Sequence, residues 1–347
     1  MLPDWESFLK SQGANIENGL VLDFGDADQE AKSAEAGNVV TDLSFLAMVR
    51  IHGPDALTFL NGQFTCDLSR FANGNVSPCA WCNPKGQVIA NFIIAELDDG
   101  YYLLLPRKMK DSFIKRLSMY ILRAQVSIED CSDSLQCIGY RHKDGEQISG
   151  IEISQRISTR EQAYQANGLV MFHIPGNWNR VIISGAVETL KGAWLNLVQM
   201  YRSIGSRYWQ LFDVQEGQPW IGTETSESCL PQLLNLDLQE GLSFQKGCFP
   251  GQEVIARLHY RGKTRQRLFI ATLDSSAILT PGEKIYSENG EQSIGMVINT
   301  ACHPDNGILA LISLDVNISE PEKLHLQDKN VRFVKLSLPP YVTRYEI

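Results

Sequence analysis

The spacing of apolar positions divides the chain into an early part, where strands and helices mix, and a late part that reads as strands alone. From Ser44 to Ile51 the run SFLAMVRI is apolar almost throughout and predicts a buried strand. Gly53, Pro54 and Asp55 then open a short helix, ALTFLNG, because proline suits a first helical turn and Gly62 its end. Between Ala80 and Leu105, apolar runs broken by Asn-Pro-Lys-Gly at 83–86 and Asp-Asp-Gly at 98–100 predict a meander. Met109, Phe113, Leu117, Tyr120 and Ile121 recur at intervals of three and four, which predicts a helix over 108–122 with one buried face. The strand VSIED follows. A similar plan recurs over 136–200: strands IGYR, LVMFHI and RVIISG, then a helix from Val187 to Met200 with Leu190, Trp194, Leu197 and Val198 on one side.

Past Arg267 the helical period disappears. Six short strands, RLFIATL, EKIYS, SIGMVIN, ILALISL, LHLQ and VRFVKLSL, are separated by turns at PGE, ENGE and HPDNG, which predicts a small all-β barrel or sandwich. The expected architecture is α+β: a body of mixed sheets and helices over 1–264, built of two similar subunits at 1–132 and 133–264, and a C-terminal β-barrel domain over 265–347.

Composition narrows the function classes. At 347 residues, 44% hydrophobic and 20% charged, the chain has an ordinary globular make-up and room for a dry core. A net charge of -9 argues against a protein coated in nucleic acid while leaving a local basic site open. No apolar run approaches the roughly 20 residues that a bilayer demands, and the N-terminus lacks a signal core, so the expected location is cytoplasmic. Eight cysteines, scattered at 66, 79, 82, 131, 137, 229, 248 and 302, suit free thiols in a reducing compartment. Only Cys79 and Cys82 form a CxxC pair, without a second pair at zinc-site spacing, so no metal is expected.

The most chemically loaded segment is FQKGCFPGQE at 244–253. Pro250 and Gly251 suit the centre of a type II turn. Gln252 and Glu253 would then begin a helix, with the acid at its positive end. Cys248, beside that turn and two residues from Lys246, is a candidate reactive thiol, since a nearby cation lowers a thiol pKa. The competing reading is a small buried hydrophobe in a glycine-rich connector. No histidine and acid at readable spacing support a hydrolase nucleophile. Downstream, Arg257, Arg261, Lys263, Arg265 and Arg267 surround His259 and Tyr260, a local reversal of charge able to hold a polyanion or to serve as a solvated surface.

KGCFPGQE followed by RLHYRGKTRQRL resembles the signature of the YgfZ-type folate-binding proteins, written Lys-Gly-Cys-Tyr-x-Gly-Gln-Glu before an Arg/Gly-rich stretch. LPQLLNLDLQEGLSF at 230–244, FLNGQFTCDL at 59–68 and CNPKGQ at 82–87 are similar to further segments of that family, so the likeness spans essentially the whole chain. The resemblance implies the fold of the glycine cleavage T-protein, a tetrahydrofolate-dependent aminomethyltransferase, with folate in the α+β body and a barrel behind. It also implies support of iron-sulfur cluster assembly or repair and, through it, of tRNA modification, with iron-sulfur assembly or client proteins as partners. Cys248 would be the reactive thiol and Lys246 its activator, while Gly247, Phe249, Gly251, Gln252 and Glu253 complete the motif. Trp209, Gln215, Glu216, Arg257 and Arg261 are the folate candidates.

Three departures from the pattern matter. The T-protein carries a pair of aspartates where this chain has Ala90 and Asn91, and a methyl group cannot take a proton, so an active aminomethyltransferase is not expected. Gln215 stands where the family has its pterin-recognising glutamate, with Glu216 next to it. Phe249 replaces a tyrosine. The alternative is a one-carbon transferase acting on another substrate.

Overall fold

The computed structural model describes residues 1–71, 74–142, 162–174, 176, 179–262, 264–274, 279–288, 290, 292–303, 307–318, 320–326 and 331–345. Lys263 and parts of the turns expected at 288–291 and 303–307 lie outside the described residues. The chain folds as two compact units, each assembled from separated stretches.

The first unit takes Met1–Phe59, Arg70–Ser77 and Ile93–Trp209. Its six-stranded sheet runs in the order Ala163–Ala166, Leu169–Ile174, Asn179–Ala186, Leu135–His142, Val39–Asp42, Arg202–Ile204. Only the last pair, Arg202 beside Val39, is parallel. Helix Val187–Leu197 buries Leu190, Ala193, Trp194 and Leu197, the three-and-four spacing read from the sequence, and stops three residues short of the expected end. With helix Pro3–Ser11 it covers Tyr140, Val181 and Ile183 of the sheet, and Trp5 meets Trp194 edge to face at 6.0 Å.

The meander is present. Leu46–His52 pairs with Gly100–Pro106 and with Ser127–Asp130, and Leu97 faces Gly100 across the Asp98-Asp99 turn. The helix expected over 108–122 is shorter, a 3-10 turn at Arg107–Met109 leading into Lys110–Ser118. Phe113 and Leu117 fill the buried face, whereas Tyr120 is exposed and the chain reverses at Leu122, whose φ is 45°.

The second unit takes Leu60–Ser69, Pro78–Phe92 and Gln210–Ile347. All six late strands form where the alternation places them. Their antiparallel sheet is ordered Leu324–Leu326, Lys284–Ser287, Ser293–Cys302, Ile308–Asp315, Gln266–Asp274, Arg332–Ser337, curled as a half-barrel with the two last strands of the chain at its edges. Inward residues Phe269, Ala271, Leu273, Val297, Ala310, Ile312 and Phe333 form its core, at the period of two that a half-buried strand requires. The fold class is α+β, as the patterning implies, with a curled half-barrel sheet at the C-terminus where a closed barrel or sandwich is expected.

Candidate functional site

The decapeptide at 244–253 takes its shape from local chemistry. Across Pro250-Gly251, the Gln252 amide donates to the Phe249 carbonyl at 3.2 Å, and Gly251 sits at φ 80°, ψ 0°, the positive-φ position of a type II turn. Helix Gln252–Arg261 starts at once, with Glu253 in the first turn and Arg261 in the last, each sign at the end the peptide dipoles favour. The turn is also packed. A Cβ on Gly251 would lie 2.5 Å from Gly86 Cα and 2.6 Å from both the Asn83 carbonyl oxygen and the Gly86 nitrogen. The hairpin turn at 83–86 therefore backs directly onto the motif turn, and Gly251 is required by conformation and by space together.

Cys248 is exposed and bonded to no other cysteine. Lys246 is more deeply placed. Its ammonium donates to the carbonyl oxygens of Phe64 at 2.8 Å and Cys66 at 2.6 Å and lies 5.5 Å from the Phe249 ring centre. No hydrogen bond joins it to Cys248 among the described residues. Burial pulls the Lys246 ammonium down to about 8, with Asp67 pulling back toward the charged form. Geometrically, Lys246 ties the motif loop to the segment at 64–66. That segment is held again by Thr65, whose hydroxyl donates to the Gly241 carbonyl at 2.7 Å and accepts from the Ala80 amide at 3.0 Å. Ser243 N donates back to the Thr65 carbonyl at 2.9 Å.

The cysteine reading needs one correction. Cys66 and Cys79 form a disulfide, with Cα atoms 5.4 Å apart. Phe64 and Trp81 face each other as an isolated antiparallel bridge, which brings the two cysteines side by side although 13 positions separate them. Two of the eight cysteines expected as free thiols are thus paired, while Cys82, the other half of the CxxC, is a buried free thiol beside Cys229, and burial pushes both well above the ordinary thiol range. Among the described residues no cluster of three or more His, Cys, Asp or Glu is arranged to hold a metal ion.

The folate candidates separate by burial. Trp209 is 1% exposed, and its ring lies so close to Gly139 that a Cβ there would be 2.5 Å away. The Arg180 guanidinium stands 5.5 Å from that ring. Gln215, the last residue of helix Ser206–Gln215, is half-buried, whereas Glu216 is buried, as is Asp213 one turn earlier. Asp213 accepts from Trp220 Nε1 at 2.9 Å, a partnership invisible in the sequence because nothing in the spacing marks it. Arg257 and Arg261 project into solvent one turn apart. Ala90 is buried, and Asn91 is committed to bracing a loop: its amide donates to the Pro219 carbonyl at 2.7 Å and its carbonyl accepts from Ile221 N at 2.7 Å. Only an amide supplies both halves of that pair.

Residues 22–140 match the family described as the GCVT N-terminal domain. The glycine cleavage system aminomethyltransferase T from Bartonella henselae superposes with a TM-score of 0.73, covering 99% of this chain and 98% of that one at 13% identity. The fold is thus that of the glycine cleavage aminomethyltransferases. Within that class the sequence is YgfZ-like. It is 28% identical to the tRNA-modifying protein YgfZ of Vibrio atlanticus over 295 residues, covering 83% of this chain and 86% of that protein. The YgfZ of Klebsiella pneumoniae is 25% identical over 325 residues, covering 90% and 96%.

Proposed function

We propose that this chain is a folate-binding protein that supports tRNA modification through iron-sulfur cluster assembly or repair, with the Cys248 thiol as its reactive group. The observation that carries the reading is the placement of Cys248: an exposed sulfur on a loop pinned by Lys246 on one side and by the Gly251 turn on the other. A thiolate is a soft donor suited to iron and to sulfur transfer, and a held but open position lets it meet a partner without rearrangement. Lys246 positions that loop through its two carbonyl contacts.

Aminomethyl transfer is not the expected chemistry. Ala90 offers no proton-carrying group, and both functional atoms of Asn91 are engaged by backbone. For folate, the buried carboxylates of Glu216 and Asp213 suit the amino and ring NH donors of a pterin, because a carboxylate accepts up to about four hydrogen bonds. Gln215 is then not the acid that recognition needs. A cytoplasmic setting with iron-sulfur client proteins as partners agrees with this reading, and no helix among the described residues is long and apolar enough to cross a membrane.

The test is complementation with a Cys248→Ser variant in a strain lacking the gene, read as the level of thiolated tRNA, together with calorimetric titration of the purified protein with tetrahydrofolate. The variant is expected to fold, bind folate and fail to restore thiolation. Full restoration would overturn the assignment of Cys248. Sustained consumption of methylenetetrahydrofolate beyond one equivalent would instead make the chain a one-carbon transferase.

A further inference from the structure

On the outward face of helix Gln252–Arg261 two arginines, offered above as folate candidates, stand in solvent beside an exposed aromatic ring that the thiol chemistry leaves unused. At about 100° per residue, Arg257, Tyr260 and Arg261 fall within one arc of roughly 100°, opposite the buried Ile255. Tyr260 is 67% exposed, an unusual state for a large aromatic residue. Its ring is nevertheless braced: His259 stands at 4.8 Å and 77°, and Phe244 at 6.1 Å and 68°. Phe244 and His259 are themselves stacked at 3.8 Å with 12° between their planes. Arg257, Arg261 and the nearby Arg265 are exposed and make no ion pair among the described residues. Glu253 is the only carboxylate on the helix, one turn before Arg257.

We infer that the Arg257–Tyr260–Arg261 face, backed by Phe244 and His259, docks an unpaired stretch of RNA, one base stacking on Tyr260 and the flanking phosphates meeting the arginines. Two features choose this occupant over an acidic peptide. In a chain of net charge -9, an uncompensated arginine cluster complements a polyanion. A peptide of carboxylates would use the arginines and leave the exposed ring idle, whereas a base uses both, because any nucleobase presents a π-face. Unpaired RNA is favoured over a duplex, whose bases are already stacked on one another. The inference rests for its cellular setting on the tRNA-linked role proposed above, and it adds a direct contact between this chain and RNA.

The test is fluorescence anisotropy of the full-length protein with an unpaired RNA of roughly twelve nucleotides, within the site sizes of single-strand binders, at several salt concentrations. A duplex of the same length and an oligoglutamate peptide serve as competitors. Tyr260→Ala is expected to weaken binding about tenfold and Tyr260→Phe to stay within about twofold, since stacking needs the ring alone. Arg257→Gln and Arg261→Gln should each flatten the slope of log affinity against log salt by about 0.7. Cys248→Ser should bind as the wild type does, so that failure here and failure of the thiol assignment are separable. Unfolding midpoints of each variant, unchanged for such exposed positions, exclude a folding defect. Wild-type affinity in Tyr260→Ala, or displacement of the RNA by oligoglutamate but not by unlabelled unpaired RNA, would overturn the inference.

Discussion

Two glycines four positions apart in the same motif, Gly247 and Gly251, should respond oppositely to an added methyl group. Gly251 has a φ of 80°, where an L side chain pays about 1–2 kcal/mol. Its new Cβ would also lie at 2.5–2.6 Å from three backbone atoms of the 83–86 turn, none of which can swing aside as a flexible side chain would. Overpacking of that kind adds about 1–3 kcal/mol, so Gly251→Ala should cost about 2–5 kcal/mol. At about 2–4 °C per kcal/mol for a unit of this size, the midpoint should fall by roughly 4–20 °C. Gly247 has no atom within 4 Å of a built Cβ and no positive φ. Gly247→Ala should therefore stay within about 0.5 kcal/mol of the parent, or gain slightly by restricting the unfolded chain. Parallel thermal and urea unfolding followed by circular dichroism measures both. Equal losses in the two variants, or a Gly251→Ala protein as stable as the parent, would show that the two turns do not back onto each other as described.

The other predictions concern single contacts. Lys246 titrates near 8 in the folded chain against an ordinary 10.5, so between those values the unfolded chain holds more protons and stability should climb as pH rises, by at most about 3 kcal/mol. The difference between parent and Lys246→Met in urea midpoint at pH 7.5 and pH 10 isolates that component, and matching slopes would count against it. Asn91→Asp deletes the donor to the Pro219 carbonyl and sets a carboxylate against it; a loss of about 1–3 kcal/mol or more is expected, with no folate turnover gained, and an unchanged unfolding midpoint would refute the brace. Thiol titration of the native protein without reductant should count two accessible groups, Cys248 and Cys302, rising to six on unfolding and to eight after reduction. A native count above two, or eight thiols on unfolding alone, contradicts the cysteine assignment.

What the sequence disclosed was local. The Pro250-Gly251 turn, the helix start at Gln252 and the six late strands all follow from neighbours within a few positions, where turn chemistry and residue period act directly. The spacing predicts too long a helix over 108–122 because its periodic residues continue past Ser118, while Leu122 takes a positive φ that the period does not carry. Sequence adjacency pairs Lys246 with Cys248, whereas its hydrogen bonds run to residues 182 and 180 positions away. The Cys66–Cys79 pair is illegible for the same reason: scattered cysteines read as free thiols, and only the bridge between Phe64 and Trp81 brings Cys66 to Cys79.

The two carbonyl contacts of Lys246 change what a loss-of-function variant at Lys246 or Cys248 means. If Lys246 served to ionise the sulfur, its replacement would act on reactivity alone and a higher pH would restore the function. As an anchor on the Phe64 and Cys66 carbonyls, its loss frees the loop, and no pH returns what geometry supplied. Lys246→Arg discriminates the two roles. A guanidinium keeps the charge, yet its planar fork does not reproduce a compact ammonium shared between two carbonyl oxygens in a half-buried site. Retained charge with lost complementation would identify Lys246 as a positioning residue; full complementation by Lys246→Arg would return it to the role of electrostatic activator.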